Sequence, residues 1–187
     1  LEKGVNFFDA AELYPVPANA QTYGDTERII GSWFQKTGNR EKVVLASKIA
    51  GGGDYTAHIR TGGFIKKNIA DAIENSLKRL QTEYIDLYQL HWPSRGVNCF
   101  GLRDYPYKTS SKVAENHLEI IETLHDFIKQ GKIRQFGLSN ETPWGTMKYV
   151  QTADQHNLSR PVTIQNSYSL IHRGYEIGLS EVSMREN

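Results

Sequence analysis

The chain has 187 residues, 39% of them hydrophobic, and a formal net charge of +1. That length and composition suit one domain with a real core. The near-neutral balance, without a basic stripe, argues against nucleic acid as a partner, and no apolar run is long enough to span a bilayer. A single cysteine, Cys99, rules out an internal disulfide framework. With no signal-peptide pattern at the start, a cytoplasmic location is expected.

In chain order, strands and helices alternate. Leu1-Glu2-Lys3-Gly4 reads as the last turn of a helix, with glycine in the terminating position. A strand is predicted over residues 5–9, then a helix over 26–36 with Ile29, Ile30, Trp33 and Phe34 on one face. The strand 43–47 precedes a helix over 65–80, where Ile65, Ile69, Ile73, Leu77 and Leu80 make one apolar stripe. The strand 84–90 precedes a helix over 114–130, striped by Ile120, Ile121, Leu124, Phe127 and Ile128 and stopped by Gly131. The strand 133–138 precedes a helix starting at Pro143, with Thr142 as its N-cap. A strand over 162–165 and a weak helix over 175–183 follow.

Strands separated by helices imply right-handed crossovers and a parallel sheet. Five such units fall short of the eight, over ~250 residues, of a closed (β/α)8 barrel. The choice is therefore an incomplete barrel or an open doubly wound sheet. No G-x-G-x-x-G follows any strand, which weakens the open-sheet dinucleotide reading. The chain's two ends lead to the expectation that it is part of a longer protein. Long loops over 50–63 and 94–111 are candidates to shape a pocket.

Asp9, Lys48 and His91 each stand at or just past a strand end, and Tyr14 lies on the loop after the first strand. In a parallel sheet all four face one mouth, where barrels place their chemistry. Singly, each has a bland reading: a loop cap, a rim charge, a structural imidazole, a packed ring. Jointly they suit reversible reduction of a carbonyl. A tyrosine with an ordinary pKa of about 10 needs tuning to act near neutrality. The expectation is that a buried Lys48 ammonium lowers it, with Asp9 as counter-ion and His91 orienting the carbonyl.

These residues sit in wider motifs. Residues 4–14 (Gly4-Val5-Asn6-Phe7-Phe8-Asp9-Ala10-Ala11-Glu12-Leu13-Tyr14), Gly24-Asp25-Thr26-Glu27 with Gly31, Ala46-Ser47-Lys48, Leu77-Lys78-Arg79-Leu80 through Tyr88, His91-Trp92-Pro93 and Gly137-Leu138-Ser139-Asn140 together resemble the aldo-keto reductase family. The likeness runs over essentially the whole chain. The Tyr14-Pro15-Val16-Pro17 loop, Asn98-Cys99-Phe100-Gly101 and Thr163-Ile164-Gln165-Asn166 with Tyr168-Ser169-Leu170 most resemble its Tas-like bacterial branch.

The resemblance implies an α/β fold: a (β/α)8 TIM barrel, present as a partial single domain over 1–187 that lacks the first and last βα units. It implies NADP(H)-dependent reduction of aldehydes or ketones, with Tyr14 as general acid, Lys48 as its pKa-lowering partner, Asp9 paired to Lys48, and His91 orienting the carbonyl. Ser139, Asn140 and Gln165 match the positions that bind the nicotinamide carboxamide, a task suited to hydroxyl and amide groups. Trp92 would line the substrate pocket, with Phe100 and Tyr105 as further contributors, and Glu27 matches a structural position. The aromatic that stacks on nicotinamide and the basic residues that grip the 2′-phosphate belong to units absent from these 187 residues.

Other readings stay open from sequence. One is a cofactor-binding regulatory subunit of the potassium-channel β type. Another is an inactive fragment of a longer reductase. A metal-dependent barrel using Asp9, Glu12 and His91 is disfavoured because Lys48 would repel the ion, so no metal is expected. Gly51-Gly52-Gly53 as a phosphate cradle lacks the following Lys-Ser/Thr helix. Oligomeric state is not legible in the sequence.

Overall fold

The computed structural model describes residues 1–100, 104 and 116–186. Gly101, Tyr105, much of the 94–111 loop and the predicted helix start at Ala114 lie outside the described residues. Five strands, β1 (Phe7–Asp9), β2 (Val44–Ile49), β3 (Ile85–Leu90), β4 (Ile133–Ser139) and β5 (Ile164–Gln165), form one sheet. They alternate with five helices: α1 (Asp25–Thr37), α2 (Lys66–Leu80), α3 (His117–Lys129), α4 (Pro143–Gln155) and α5 (Leu179–Glu186).

Every pairing is parallel, and the spatial order β1-β2-β3-β4-β5 is the chain order. A doubly wound sheet reverses its strand order at a switch point. This sheet has none, and α1 to α4 pack successively on one another. The architecture is therefore an incomplete (β/α)8 barrel.

The helices form where an apolar stripe meets the sheet. On α2, Ile69, Ile73, Leu77 and Leu80 are buried, and each such side chain contributes about 1.5–3 kcal/mol. Ile65 leaves the predicted stripe: it is the extended N-cap residue, and it is exposed. On α3, Ile120, Ile121, Leu124 and Phe127 are buried as expected. Thr142 caps α4, its Oγ1 accepting the Gly145 N–H at 3.1 Å, with Pro143 in the first turn.

The face expected of α1 is corrected. Glu27, Gly31 and Phe34 are buried, whereas Ile29 is 70% exposed. Ile29 lies about 200° around the helix from both Glu27 and Gly31, so it points away from the face they define. An apolar-only count misses this because the centre of the buried face is a carboxylate. Glu27 accepts from Ser47 Oγ at 2.5 Å and from Arg79 Nε at 2.6 Å.

The edge strands are shorter than expected. Val44 N–H still donates to Asn6 O, Val162 N–H donates to Phe136 O, and Leu138 N–H donates to Thr163 O, each at 2.9 Å. The ladder thus continues past β1 and β5, with pairing on one side only among the described residues. The last helix starts four residues later than expected, at Leu179, after a short 3-10 turn at Gly174–Glu176 and a break at Gly178 with φ +96. Among the described residues, no helix is long and apolar enough to cross a membrane.

Candidate active site

Parallel register carries the predicted residues to one end of the sheet. Asp9 ends β1, Lys48 lies one residue before the end of β2, and His91 follows β3 directly. The chain after Asp9 keeps pairing with β2, through Ala10 N–H to Ala46 O at 2.9 Å and Glu12 N–H to Lys48 O at 3.1 Å. His91 N–H donates to Ile49 O at 3.0 Å.

The Lys48 side chain is 1% exposed. Its Nζ donates to Asp9 Oδ1 at 2.7 Å, to Asp9 Oδ2 at 2.7 Å and to Ala10 O at 2.8 Å, which uses all three ammonium N–H groups. Burial lowers the Lys48 pKa, against the opposing hydrogen bond and charge of Asp9. Asp9 also accepts from Gln89 Nε2 at 3.2 Å and from Gln165 Nε2 at 3.1 Å.

Gln165 joins a second cluster. Its carbonyl accepts from Ser139 Oγ and from Asn140 N–H, both at 2.9 Å. Asn140 Nδ2 donates to His91 O at 2.9 Å and to Ser139 Oγ at 3.1 Å. Asp9, Lys48, His91, Ser139, Asn140 and Gln165 are thus one hydrogen-bonded assembly. Among the described residues, Asn140 Oδ1 and Gln165 Oε1 accept no hydrogen bond.

Tyr14 joins by proximity. Its ring stands edge-on to His91, centroids 5.6 Å apart, with Lys48 Nζ 5.4 Å from its centroid. The sequence leads one to expect a lowered tyrosine pKa. The structure raises it, through burial first and the negative charge of Asp9 second. Lys48 Nζ, held by both oxygens of Asp9 and by Ala10 O, makes no hydrogen bond to the phenol among the described residues.

Burial, helped by the Lys48 charge, pushes the His91 pKa down to about 3, so the ring is neutral at physiological pH. Its Nδ1 is buried without a hydrogen-bond partner among the described residues. Trp92 packs against His91 at 4.9 Å and Phe100 at 5.7 Å, and its Nε1 donates to Gly52 O at 3.2 Å. Gly51 is required here, because a Cβ at that position would collide with the indole.

A cleft of about 760 Å³ opens beside the assembly, with Phe100, Cys99, Asn140, Glu141, Asn166 and Tyr175 in its walls. Asn140 is its link to the assembly; Tyr14, Lys48 and His91 do not line it.

Sequence reasoning missed Gln89, Arg60 and the role of Glu12. Gln89 is 2% exposed and is a second amide on Asp9. A polar residue in the otherwise apolar end of a buried strand was the available signal. Glu12, weighed above as a metal ligand, is instead engaged by Arg60 and by the Ala50 N–H. Among the described residues, no group of three metal-ligating side chains converges.

A hydrogen-bonded Asp/Lys pair, a phenol and a neutral imidazole thus stand together at the C-terminal rim of a singly wound parallel sheet, the end at which barrels place their chemistry. The aldo/keto reductase family model matches residues 1–186, and the chain belongs to that family. It is 48% identical over 186 residues to the Escherichia coli (strain K12) "Protein tas", spanning 98% of this chain and 54% of that protein. It is 38% identical over 155 residues to a Babesia bovis "Aldo-keto reductase", spanning 78% of this chain and 54% of that protein. A crystal structure of an aldo-keto reductase from Klebsiella pneumoniae in complex with NADPH superposes with a TM-score of 0.69 at 29% identity, covering 98% of this chain and 50% of that one. The chain spans about half the length of the curated relatives it matches.

Proposed function

We propose that the protein is an NADP(H)-dependent oxidoreductase that reduces aldehydes or ketones, with Tyr14 as general acid. The observation that carries this reading is the convergence of Asp9, Lys48, Tyr14 and His91 at one strand-end mouth, with Lys48 buried and fully hydrogen-bonded. Tyr14, its pKa held up by burial, keeps its Oη proton at neutral pH and presents it to the carbonyl oxygen. His91, neutral above pH about 3, offers a ring N–H to the same oxygen. Once the phenol has given up its proton, the Lys48 ammonium, 5.4 Å from the ring, faces the phenolate.

The residues present fit a nicotinamide carboxamide. Asn140 Oδ1 and Gln165 Oε1, which accept no hydrogen bond among the described residues, are acceptors for its NH2, and Ser139 fixes Gln165 by its backbone. Bound there, the cofactor would supply the hydride. The choice of NADP(H) is supported by the Klebsiella pneumoniae reductase, which was solved with NADPH. Trp92 and Phe100 form an aromatic wall for a small carbonyl substrate. Residues 1–187 are proposed as part of one reductase domain, working in the cytoplasm.

Fluorescence titration with NADPH, followed by aldehyde-dependent NADPH consumption, tests the reading. Saturable binding tighter than that of NADH, together with turnover, supports it. Binding without turnover of any aldehyde or ketone would favour a non-catalytic, cofactor-sensing role. No binding by the folded protein would overturn it.

A further inference from the structure

We propose that Glu12, paired with Arg60, is a positioning residue that sets Tyr14 against Lys48, an inference that rests on the reductase reading and concerns the same site. Glu12 grips the chain at the end of β2, at Lys48 and two residues past it. Its N–H donates to the Lys48 carbonyl at 3.1 Å, and its carboxylate Oε1 accepts the Ala50 N–H at 2.6 Å. Tyr14 follows two residues later, and its own N–H closes a turn onto Ala11 O at 3.1 Å. Among the described residues no hydrogen bond joins the phenol to the ammonium, whose N–H groups go to Asp9 and Ala10 O; Lys48 Nζ stands 5.4 Å from the ring centroid, with His91 edge-on to the same ring. The backbone and side-chain anchors of Glu12 are the hydrogen-bonded link between the Lys48 strand and the segment that carries this ring.

The Glu12 side chain is fully buried. Arg60 forks onto it through both terminal nitrogens, and Arg79 Nη2 stands 4.0 Å from Oε2 while its Nε holds Glu27. A forked guanidinium–carboxylate pair fixes orientation as well as proximity. A buried ion pair is weak as a source of stability, since apolar residues of like volume often serve as well. Its placement fits a geometric role.

Arg60 comes from the loop after β2, so the pair ties that loop to the Tyr14 segment. The same loop makes three other ties. Ala18 N–H donates to Tyr55 Oη at 3.0 Å, His58 meets Tyr23 edge-on at 6.2 Å, and Gly52 O accepts from Trp92. The Glu12–Arg60 fork is the buried, charged member of this set, and it lies nearest in the chain to the phenol.

Three substitutions test the inference. Glu12→Gln keeps the shape and the acceptor for Ala50 but removes the charge that orients Arg60. Arg60→Met removes the fork from the loop side and leaves Glu12 in place. Arg60→Lys restores charge without the fork. In the whole protein at saturating NADPH and aldehyde, Glu12→Gln and Arg60→Met should lower kcat by about 10- to 100-fold. KM and NADPH affinity should change by less than about threefold, and Arg60→Lys should recover part of the rate.

In a Tyr14→Phe background the same substitutions should cost no further residual rate, because no phenol remains to be placed. Tyrosinate absorbance, taken as each protein minus its Tyr14→Phe counterpart, should show Tyr14 titrating closer to its ordinary value in Arg60→Met, as its burial loosens. Unchanged kcat in folded Arg60→Met, with Tyr14 titrating as before, would overturn the inference even if stability falls. If the unsubstituted protein reduces no carbonyl, the reductase reading fails, and the Tyr14 titration alone still decides whether Arg60 positions the phenol. Should Glu12→Gln fail to fold, the two Arg60 variants decide the question in its place.

Discussion

The two ends of the sheet each carry a carboxylate amid basic groups, and they use it differently. At the N-terminal end, Asp86 is 11% exposed and bound by Arg40 at 2.8 Å, Arg134 at 3.1 Å and the Leu45 N–H at 2.9 Å. Arg40 also donates to Thr82 Oγ1, Val43 O and Tyr84 O, and both guanidinium carbons lie within 4.2 Å of the Tyr84 ring centroid. At the C-terminal end, Lys48 and Asp9 are also paired, but spare capacity surrounds them. Among the described residues, His91 Nδ1 is buried without a partner, and the amide groups of Asn140 and Gln165 bond within the assembly through their nitrogens, with no donor on their oxygens. The closed cluster can only hold; the open one can hold and also receive a ligand. That contrast matches the division of a barrel into a stabilising face and a reactive face.

Three measurements would break or sharpen this contrast. The largest effect concerns the reactive end in acid. Because His91 titrates near 3 when folded and near its ordinary 6.5 when unfolded, the unfolded chain binds its proton first as pH falls. The stability tied to the neutral ring is complete above about pH 6.5 and is lost progressively toward pH 3, by about 5 kcal/mol at most. Urea unfolding across that range should show the slope, and His91→Gln should flatten it. Equal slopes in the two proteins would mean that the buried imidazole is not the titrating group.

Next, Asp86→Ala should destabilise the fold by about 3–5 kcal/mol, because Arg40 is left partly buried without its carboxylate. Turnover per folded molecule should be unchanged. A loss of kcat in Asp86→Ala would show that the two ends are not separate in function. The smallest effect is at the cap of α4. Thr142→Ala should cost about 1 kcal/mol in the same unfolding experiment, since the Gly145 N–H loses its acceptor. No measurable change would indicate that another acceptor, such as Glu141 Oε1, which already accepts the Thr142 N–H at 2.6 Å, had taken the Gly145 N–H.

Much of this was legible in the sequence, for physical reasons. β2, β3 and β4 are central strands, buried and apolar, so their runs announce themselves. α2 and α3 carry continuous stripes because each packs against both the sheet and a neighbouring helix. Asp9, Lys48 and His91 stood out as polar residues at the ends of apolar strands, Ser139, Asn140 and Gln165 were singled out by the family resemblance, and the structure brings all six together.

What was not legible depended on partners distant in the chain. The buried face of α1 centres on Glu27, which is tolerable only because Arg79, 52 residues away, and Ser47 meet it. Glu12, disfavoured as a metal ligand, was left without a role because nothing near it in sequence announces Arg60, 48 residues on. The direction of the Tyr14 shift could not be read from residue types. It depends first on how deeply the phenol is buried and then on how near it stands to Asp9, and only the folded geometry gives both.

The central claim is that Tyr14 delivers the proton, and the most direct test is Tyr14→Phe in the whole protein. NADPH-dependent reduction of an aldehyde should fall by at least about 10²–10⁴-fold, while the affinity for NADPH measured by fluorescence stays within about twofold of the unsubstituted value. Turnover retained within about tenfold, with the cofactor still bound, would contradict the assignment of Tyr14 as the acid.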